Sequence, residues 1–313
     1  MKSGNRHILY TVAVGSMVVG SLLCSPLAQA ASGLRARSGL SPHHSGATPS
    51  AHANAPFSFK LEDQMLALLR YLPVTFVPAS SATTTTTTTT SSTTTTTLSP
   101  STTSTSTTTT TTLAPAVTVA DPTKLQKGSY VWRFRALTTL RQLWSVGAPN
   151  VVLQGALMKF QLDHNLDTTG SMNSGTWQAL LSAAKRHQLD PSSYNYVYVR
   201  QTLPELLKLY RNGRIAYETY VNTGVSDAPT QSGTYPVYER FLTTTMSGVE
   251  PDGTKYSDPG IPWVSYFHGG DALHGFIRSA YGYPQSLGCV EMPFSHAQVL
   301  FPFTPIGTLV TIQ

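Results

Sequence analysis

The chain has 313 residues, with 21 Lys and Arg against 15 Asp and Glu, for a formal net charge of +6. Only 12% of residues are charged, while Thr, Ser, Gly and Pro are abundant, which points to an extracytoplasmic protein rather than a cytosolic helical one. A mild basic excess favours anionic surfaces, and without a Lys/Arg cluster interleaved with aromatics a nucleic-acid partner is excluded.

Residues 1–30 read as a secretory leader. Lys2, Arg6 and His7 precede an apolar run over 8–24, and Ala28-Gln29-Ala30 supplies a small-x-small cleavage pattern. Membrane attachment is expected only if that leader stays uncleaved, and Gly15, Ser16, Gly20 and Ser21 weaken it as a span. The two cysteines are Cys24 and Cys289, so cleavage leaves one. A lone thiol in an oxidising compartment is either a buried bystander or a reactive group. The bystander is the commoner case, and local sequence has to overturn it.

Residues 31–56, rich in Ser, Ala, His, Pro and Gly, are expected to be disordered. Over 57–78, Leu61, Met65, Leu68, Leu69 and Leu72 recur at helical spacing. Pro73 ends the helix, and Val74, Phe76 and Val77 follow as a short strand. Residues 79–120 are a Thr/Ser-rich linker that cannot form a core and is expected to be extended and disordered. A helix as short as the first would be marginal with its apolar stripe exposed. Residues 57–78 are therefore expected to pack on the module that follows the linker, so that the linker loops out of one domain. The strand-like ends 74–77 and 130–134 are the natural partners.

Residues 121–190 form that small module. Tyr130, Trp132 and Phe134 alternate as a strand, and Val152, Leu153, Leu157 and Phe160 follow a helix. Residues 167–170 make a loop, and Ser174 is expected to cap a second helix bearing Trp177, Leu180, Leu181 and Ala184. The phrases ALMKFQLDHNLDTTG and TWQALL resemble the peptidoglycan-binding helical module of wall enzymes. A generic helical spacer is the alternative.

From 194 to 313 the pattern turns to short strands. Tyr196, Tyr198 and Arg200 alternate with Val197 and Val199, and Asn212-Gly213 between two apolar runs signals a type I′ hairpin. Further segments at 233–238, 243–248, 263–268 and 308–312 complete a mainly β domain, a sandwich or barrel. Asp252-Gly253 and Asp258-Pro259-Gly260 read as turns, and His296 as a structural residue of a late helix.

Chemistry concentrates in Tyr266-Phe267-His268-Gly269-Gly270, then Leu273-His274-Gly275, then Ser286-Leu287-Gly288-Cys289-Val290. A cysteine acyltransferase needs a thiolate, a base and donors for a developing oxyanion. Cys289 supplies the sulfur and His274 a base of suitable range. The amides of Gly288 and Cys289 are candidate oxyanion donors, and Ser286 a candidate partner of substrate or histidine. Tyr266, His268, Gly269 and Gly275 are candidate substrate contacts. A metal site from His268, His274 and Cys289 lacks a completing carboxylate, so no metal is expected.

His-Gly, a short Tyr/Pro loop, then Ser-x-Gly-Cys-Val resembles the L,D-transpeptidase catalytic domain, and the phrases APTQSGTYPVY, PDGTKYSDPGIPWVSYF and SLGCVEMP extend the likeness along residues 196–313. The resemblance implies a cysteine peptidoglycan transpeptidase with no cofactor, acting on stem peptides and glycan, with nucleophile Cys289, base His274, loop hydroxyl Ser286 and loop glycine Gly288. A monomer in or near the cell wall is expected, with the Thr tract setting the module's reach. Three positions depart from the family pattern: Leu287 where His is common, Glu291 where Arg is frequent, and His268 where Asn is expected. A hydrolase on the same scaffold and a non-catalytic wall-binding protein are the alternatives.

Overall fold

The computed structural model describes residues 56–79 and 121–313. The expected leader, nearly all of the 31–56 segment and the body of the Thr tract lie outside the described residues. Among the described residues, no helix is long and apolar enough to cross a membrane.

The helical part begins with α1 (Phe59–Leu68), capped where Leu61 N donates to Ser58 Oγ at 3.2 Å. Its apolar stripe is buried, Met65 and Leu66 fully so. After Pro73 the chain runs into β1 (Val74–Pro78), which pairs antiparallel with β2 (Gly128–Trp132) from Val74↔Trp132 to Pro78↔Gly128. Next come a short α2 (Thr138–Gln142), then α3 (Val151–Asp163) and α4 (Ser174–Lys185). The cap of α4 is Asn173, whose Oδ1 accepts from Thr176 N at 2.8 Å, and not the expected Ser174, which is the first helical residue. Buried Gln161 ties the α3–α4 loop, donating to Ser171 O at 3.0 Å and accepting from Gly170 N at 2.9 Å.

The ends of the Thr tract are fastened together. Ala79 N donates to Lys127 O at 2.8 Å. From inside α1, the fully buried Gln64 donates to Lys124 O at 2.9 Å and to Pro122 O at 3.2 Å, and accepts from Gln126 N at 2.8 Å. The tract leaves and rejoins at neighbouring points of one small sheet. It therefore does not separate the helical part from the catalytic region, and the expectation that it sets the module's reach is corrected.

The β region has two sheets. One has the order β5-β4-β3-β11-β6, built from β3 (Asn195–Arg200), β4 (Leu206–Arg211), β5 (Arg214–Tyr220), β6 (Gly233–Pro236) and β11 (Leu309–Ile312). The other has the order β10-β9-β8-β7, from β7 (Glu239–Val249), β8 (Lys255–His268), β9 (Asp271–Gly275) and β10 (Val290–Met292). Between them lies a core of Val197, Val199, Leu207, Val310 and Ile312 from the first sheet and Phe267, Leu273, Val290 and Met292 from the second. The short helix α5 (Phe294–Leu300) adds Ala297 and Leu300, and its His296 bonds Tyr217 OH at 2.9 Å, a structural contact.

Alternation along β3 gives the first sheet a second duty. Val197 and Val199 face the sandwich, while Tyr196 and Leu309 join the core of the helical part. A Cβ on Gly155 of α3 would lie 2.5 Å from Gly307 O, so the two backbones touch before β11. The β4–β5 turn is the expected hairpin, with Asn212 at φ 47° and Gly213 at φ 75°. Asp258-Pro259-Gly260 is not a turn. It lies inside β8 as a bulge, because Met246 pairs with Asp258 and Thr244 with Ile261, and Gly260 takes φ 76°.

Glu62 and Asp63 of α1 are buried, and neither Glu62 Oε2 nor Asp63 Oδ1 has a hydrogen-bond partner among the described residues. Burial, helped by the Asp63 charge, pushes Glu62 up to about 8, and burial pushes Asp63 up to about 7 against the hydrogen bond from Gly147 N. The folded state thus holds protons that the unfolded chain releases from about pH 4 upward. These groups make stability fall as pH rises from there toward about 8. Glu62→Gln is expected to match the wild-type Tm near pH 4 and to exceed it increasingly up to pH 8. A Tm difference independent of pH would contradict the buried, unpaired carboxyl.

Candidate active site

The site is built on β9 and β10, which lie side by side and parallel, with Val290↔Leu273, Glu291↔His274 and Met292↔Gly275 in register. Side chains alternate across a sheet, so Leu273, Val290 and Met292 enter the sandwich core. His274 and Glu291, and Cys289 just before β10, take the opposite face. That register and the usual strand spacings place the Cα atoms of Cys289 and His274 on the order of 8 Å apart. Both line one cleft of about 710 Å³, with Tyr266 and Leu287. Thr245 and Tyr256, from the long β7–β8 hairpin, form its far wall.

His274 is 2% exposed, and its Nδ1 lies 3.0 Å from Gly275 O. A carbonyl only accepts, so Nδ1 carries the proton and Nε2 keeps its lone pair. Burial lowers the imidazole pKa, against the Gly275 carbonyl and the Glu291 charge. Phe276 packs edge-on against the ring at 6.0 Å. Cys289 is half-buried, with Sγ 3.8 Å from Gly270 O. Burial pushes its thiol up to about 12, the charges of Asp271 and Glu291 add to this, and a hydrogen bond from the Ala272 backbone opposes it. Both shifts favour the uncharged forms, a thiol on Cys289 and a neutral imidazole on His274.

The loop before Cys289 is held from within. Ser286 is buried, its N donates to Thr223 O at 3.0 Å, and its O accepts from Val225 N at 2.9 Å. Its hydroxyl donates to Cys289 O at 2.6 Å and accepts from Gly288 N at 3.2 Å. Ser286 therefore meets neither His274 nor the cleft, and the Gly288 amide is not open as an oxyanion donor. Both expectations are corrected: the hydroxyl shapes the loop. Thr223 is anchored in turn by Glu205, which accepts from its N and its Oγ1, each at 2.7 Å.

Tyr266 lies in the cleft as expected, and burial raises its hydroxyl to about 12. Three other expected contacts do not line it. His268 points to the Asp271 carboxylate, Nδ1 to Oδ2 3.6 Å, and its ring packs 4.3 Å from Tyr235. Gly269 lends its carbonyl to the Tyr238 hydroxyl. Gly275 packs where a Cβ would meet Phe294 at 2.9 Å, and contributes its carbonyl to His274.

Sequence reasoning missed Asp271 and Arg278. Asp271 lines the cleft beside the Cys289 loop. Arg278 forms a bidentate pair with Glu291, Nε to Oε2 2.7 Å and Nη2 to Oε1 2.8 Å, and donates to Gln285 O at 3.1 Å. The guanidinium thus reaches the cleft from the 276–285 loop rather than from position 291. Glu291, a departure from the family pattern, is the one sequence signal that a compensating cation stood elsewhere.

Gly288 has φ 113°, and a Cβ there would lie 2.3 Å from Asp271 Oδ1. Gly288→Ala is expected to lose about 1–3 kcal/mol of stability and to change the rate of Cys289 alkylation. Gly270→Ala, where a Cβ meets nothing within 4 Å, is the control for stability and should match wild type. Equal Tm values for the two variants in thermal melts would contradict the crowding at Gly288.

Residues 194–312 match the family model of YkuD, the L,D-transpeptidase catalytic domain. Among solved structures, the NMR structure of the catalytic domain from E. faecium L,D-transpeptidase is 26% identical, with a TM-score of 0.35, covering 38% of this chain and 96% of that one. The L,D-transpeptidase from Mycobacterium smegmatis is 16% identical, with a TM-score of 0.35, covering 39% of this chain and 59% of that one. A crystal structure of an Enterococcus faecium L,D-transpeptidase mutant is 22% identical, with a TM-score of 0.36, covering 44% of this chain and 62% of that one. This chain thus spans about three fifths of the latter two. No curated protein matches it. Residues 194–312 are an L,D-transpeptidase catalytic domain of the YkuD family.

Proposed function

We propose that this chain is a secreted, cell-wall-directed L,D-transpeptidase that forms 3→3 peptidoglycan cross-links through an acyl-enzyme on Cys289. The observation that carries this reading is the pairing of Cys289 and His274 on one sheet face, opening into one cleft, within a domain of that family. Residues 121–190, with 57–78 packed on them, are read as its wall-binding module.

His274 Nε2 takes the Cys289 proton as the sulfur attacks the carbonyl carbon of the third stem residue. The thioester forms as the bond to the terminal D-alanine nitrogen breaks, and the imidazolium returns the proton to that leaving amine. The oxyanion is met by the Cys289 amide and the Tyr266 hydroxyl, because the Gly288 amide is engaged by Ser286. An amine from a second stem then attacks the thioester and frees the thiol. Glu250, Asp258, Asp271 and Glu291 line the cleft against the single guanidinium of Arg278. That excess of carboxylates favours an ammonium-bearing acceptor over a bare hydrolytic site.

Intact mass spectrometry with a tetrapeptide donor should show a Cys289 adduct that Cys289→Ala abolishes, and product analysis should show a cross-linked dimer when an amine acceptor is present. Free tripeptide alone, with acceptor in excess, would make the protein a hydrolase. His274→Gln is expected to slow acylation by about a hundredfold or more.

The pH dependence follows from the two shifts. Acylation needs neutral His274, so its rate should rise with pH through a value below 6.5 and then stay level. Alkylation of Cys289 by iodoacetamide should keep rising past pH 9, because the thiol ionises above its ordinary value. A plateau in alkylation by pH 7 would reveal a preformed thiolate and overturn the neutral-pair mechanism.

A further inference from the structure

The helical part carries a groove of about 560 Å³ between the start of α1, the start of α3 and the loop at 170–172, a volume typical of small-molecule sites. Its walls are apolar, from Phe57, Phe59, Leu153, Leu157 and Met172. Gln154 and Ser171 are its polar edge, and among the described residues no Lys, Arg or His lines it. Into it faces Glu62, 1% exposed, whose Oε2 has no hydrogen-bond partner among the described residues. The other polar wall residue, Asn150, is spent: its Oδ1 caps α3 and its Nδ2 donates to Ser145 O and Ala148 O.

A buried carboxyl with an unpartnered oxygen destabilises the fold, and a leucine of similar size would serve the core better. Among the described residues, no hydrogen bond within the packing of α1 accounts for its Oε2. A ligand that fits must be flat-sided and apolar on one face, to lie against the phenylalanines, and must bring hydrogen-bonding groups to the carboxyl and to the Gln154/Ser171 edge. An anion is disfavoured, because the lining offers a carboxyl and no cation. The carboxyl is held largely uncharged near neutral pH by burial, which suits hydroxyl and amide groups better than a full positive charge.

We propose that this groove binds an uncharged sugar of the wall glycan, one ring face on Phe57 and Phe59 and its hydroxyl or acetamido groups on Glu62. The identity of the sugar rests on the proposed function; the groove and its buried acid do not. The site includes α1, which precedes the Thr tract, as well as residues that follow it, so neither side of the tract holds the ligand alone.

Titration calorimetry on the full chain carrying Cys289→Ala tests this, with tetra-N-acetylchitotetraose as the uncharged probe and lysine amide as the cationic one. Without the thiol no acyl transfer contributes, so failure of the transferase reading and failure of this site are read separately. Saturable binding of the oligosaccharide is expected. Glu62→Leu should weaken it about tenfold or more, the scale of one lost hydrogen bond to a buried group, while raising Tm above pH 7. A purely structural acid would lower Tm when replaced and leave affinity alone. Met172→Trp, which fills the groove from the loop side, gives an independent reading if Glu62→Leu does not fold, and should abolish binding. Absence of saturable binding, undiminished affinity in either folded variant, or binding of lysine amide alone would overturn the proposal.

Discussion

The parallel pairing of β9 with β10 is the constraint on which the site depends. Parallel neighbours cannot be joined by a tight turn, so the chain must cross over between them. Here the crossover, 276–289, contains no helix or strand. It is held by backbone bonds to the segment after β5: Gly282 N to Val221 O at 3.0 Å, and Gln285 N and Ser286 N to Thr223 O at 2.9 and 3.0 Å. Arg278, the loop-shaping Ser286 and the left-handed Gly288 all ride on that crossover. The strand register then sorts the rest, with apolar residues to the sandwich and Cys289, His274 and Glu291 to the cleft.

Burial on this face governs the electrostatics. The desolvation that raises the thiol also lowers the imidazole, so burial favours the uncharged form of both groups. Under the proposed mechanism, charge separation would be confined to the moment of attack, when developing negative charge would move from sulfur to oxygen near fixed donors. Arg278 is paired with Glu291 in a two-pronged contact and donates to Gln285 O, so it ties the crossover to β10. The contact chain His274–Phe276–Arg278–Glu291 returns to the strand beside the histidine.

Periodic features were legible in the sequence. The helical stripe of α1, the alternation of β3 and the Asn212-Gly213 turn each follow from local chemistry, and the structure has them where the residues put them. Cys289 and His274 stood out for a different reason, since a short ordered motif marks them, and the structure sets both in one cleft. What escaped was non-local. Nothing near Arg278 tells that its loop folds back on Glu291, nor that Asp271 sits against Gly288. Ser286 was read as a hydrogen-bond partner of substrate or histidine because its type and position fit, whereas burial and the nearest acceptor decide its contacts. Pro259-Gly260 looked like a turn because those residue types make turns; a long strand can absorb the same pair as a bulge when its partner keeps register on both sides. The asparagine that caps α4 sits one place before the serine expected there, an offset that composition alone cannot fix, since both residue types cap well.

The closed base of the Thr tract has a consequence for how length can vary in this protein. With Pro78 opposite Gly128 and Gln64 clasping the returning strand, residues added to the tract lengthen a loop and leave the spacing of every described element unchanged. For a loop pinned at both ends, closure entropy grows only logarithmically, about 0.6 kcal/mol for each doubling. Repeat expansion or contraction in a run of near-identical threonines is thus nearly neutral for folding.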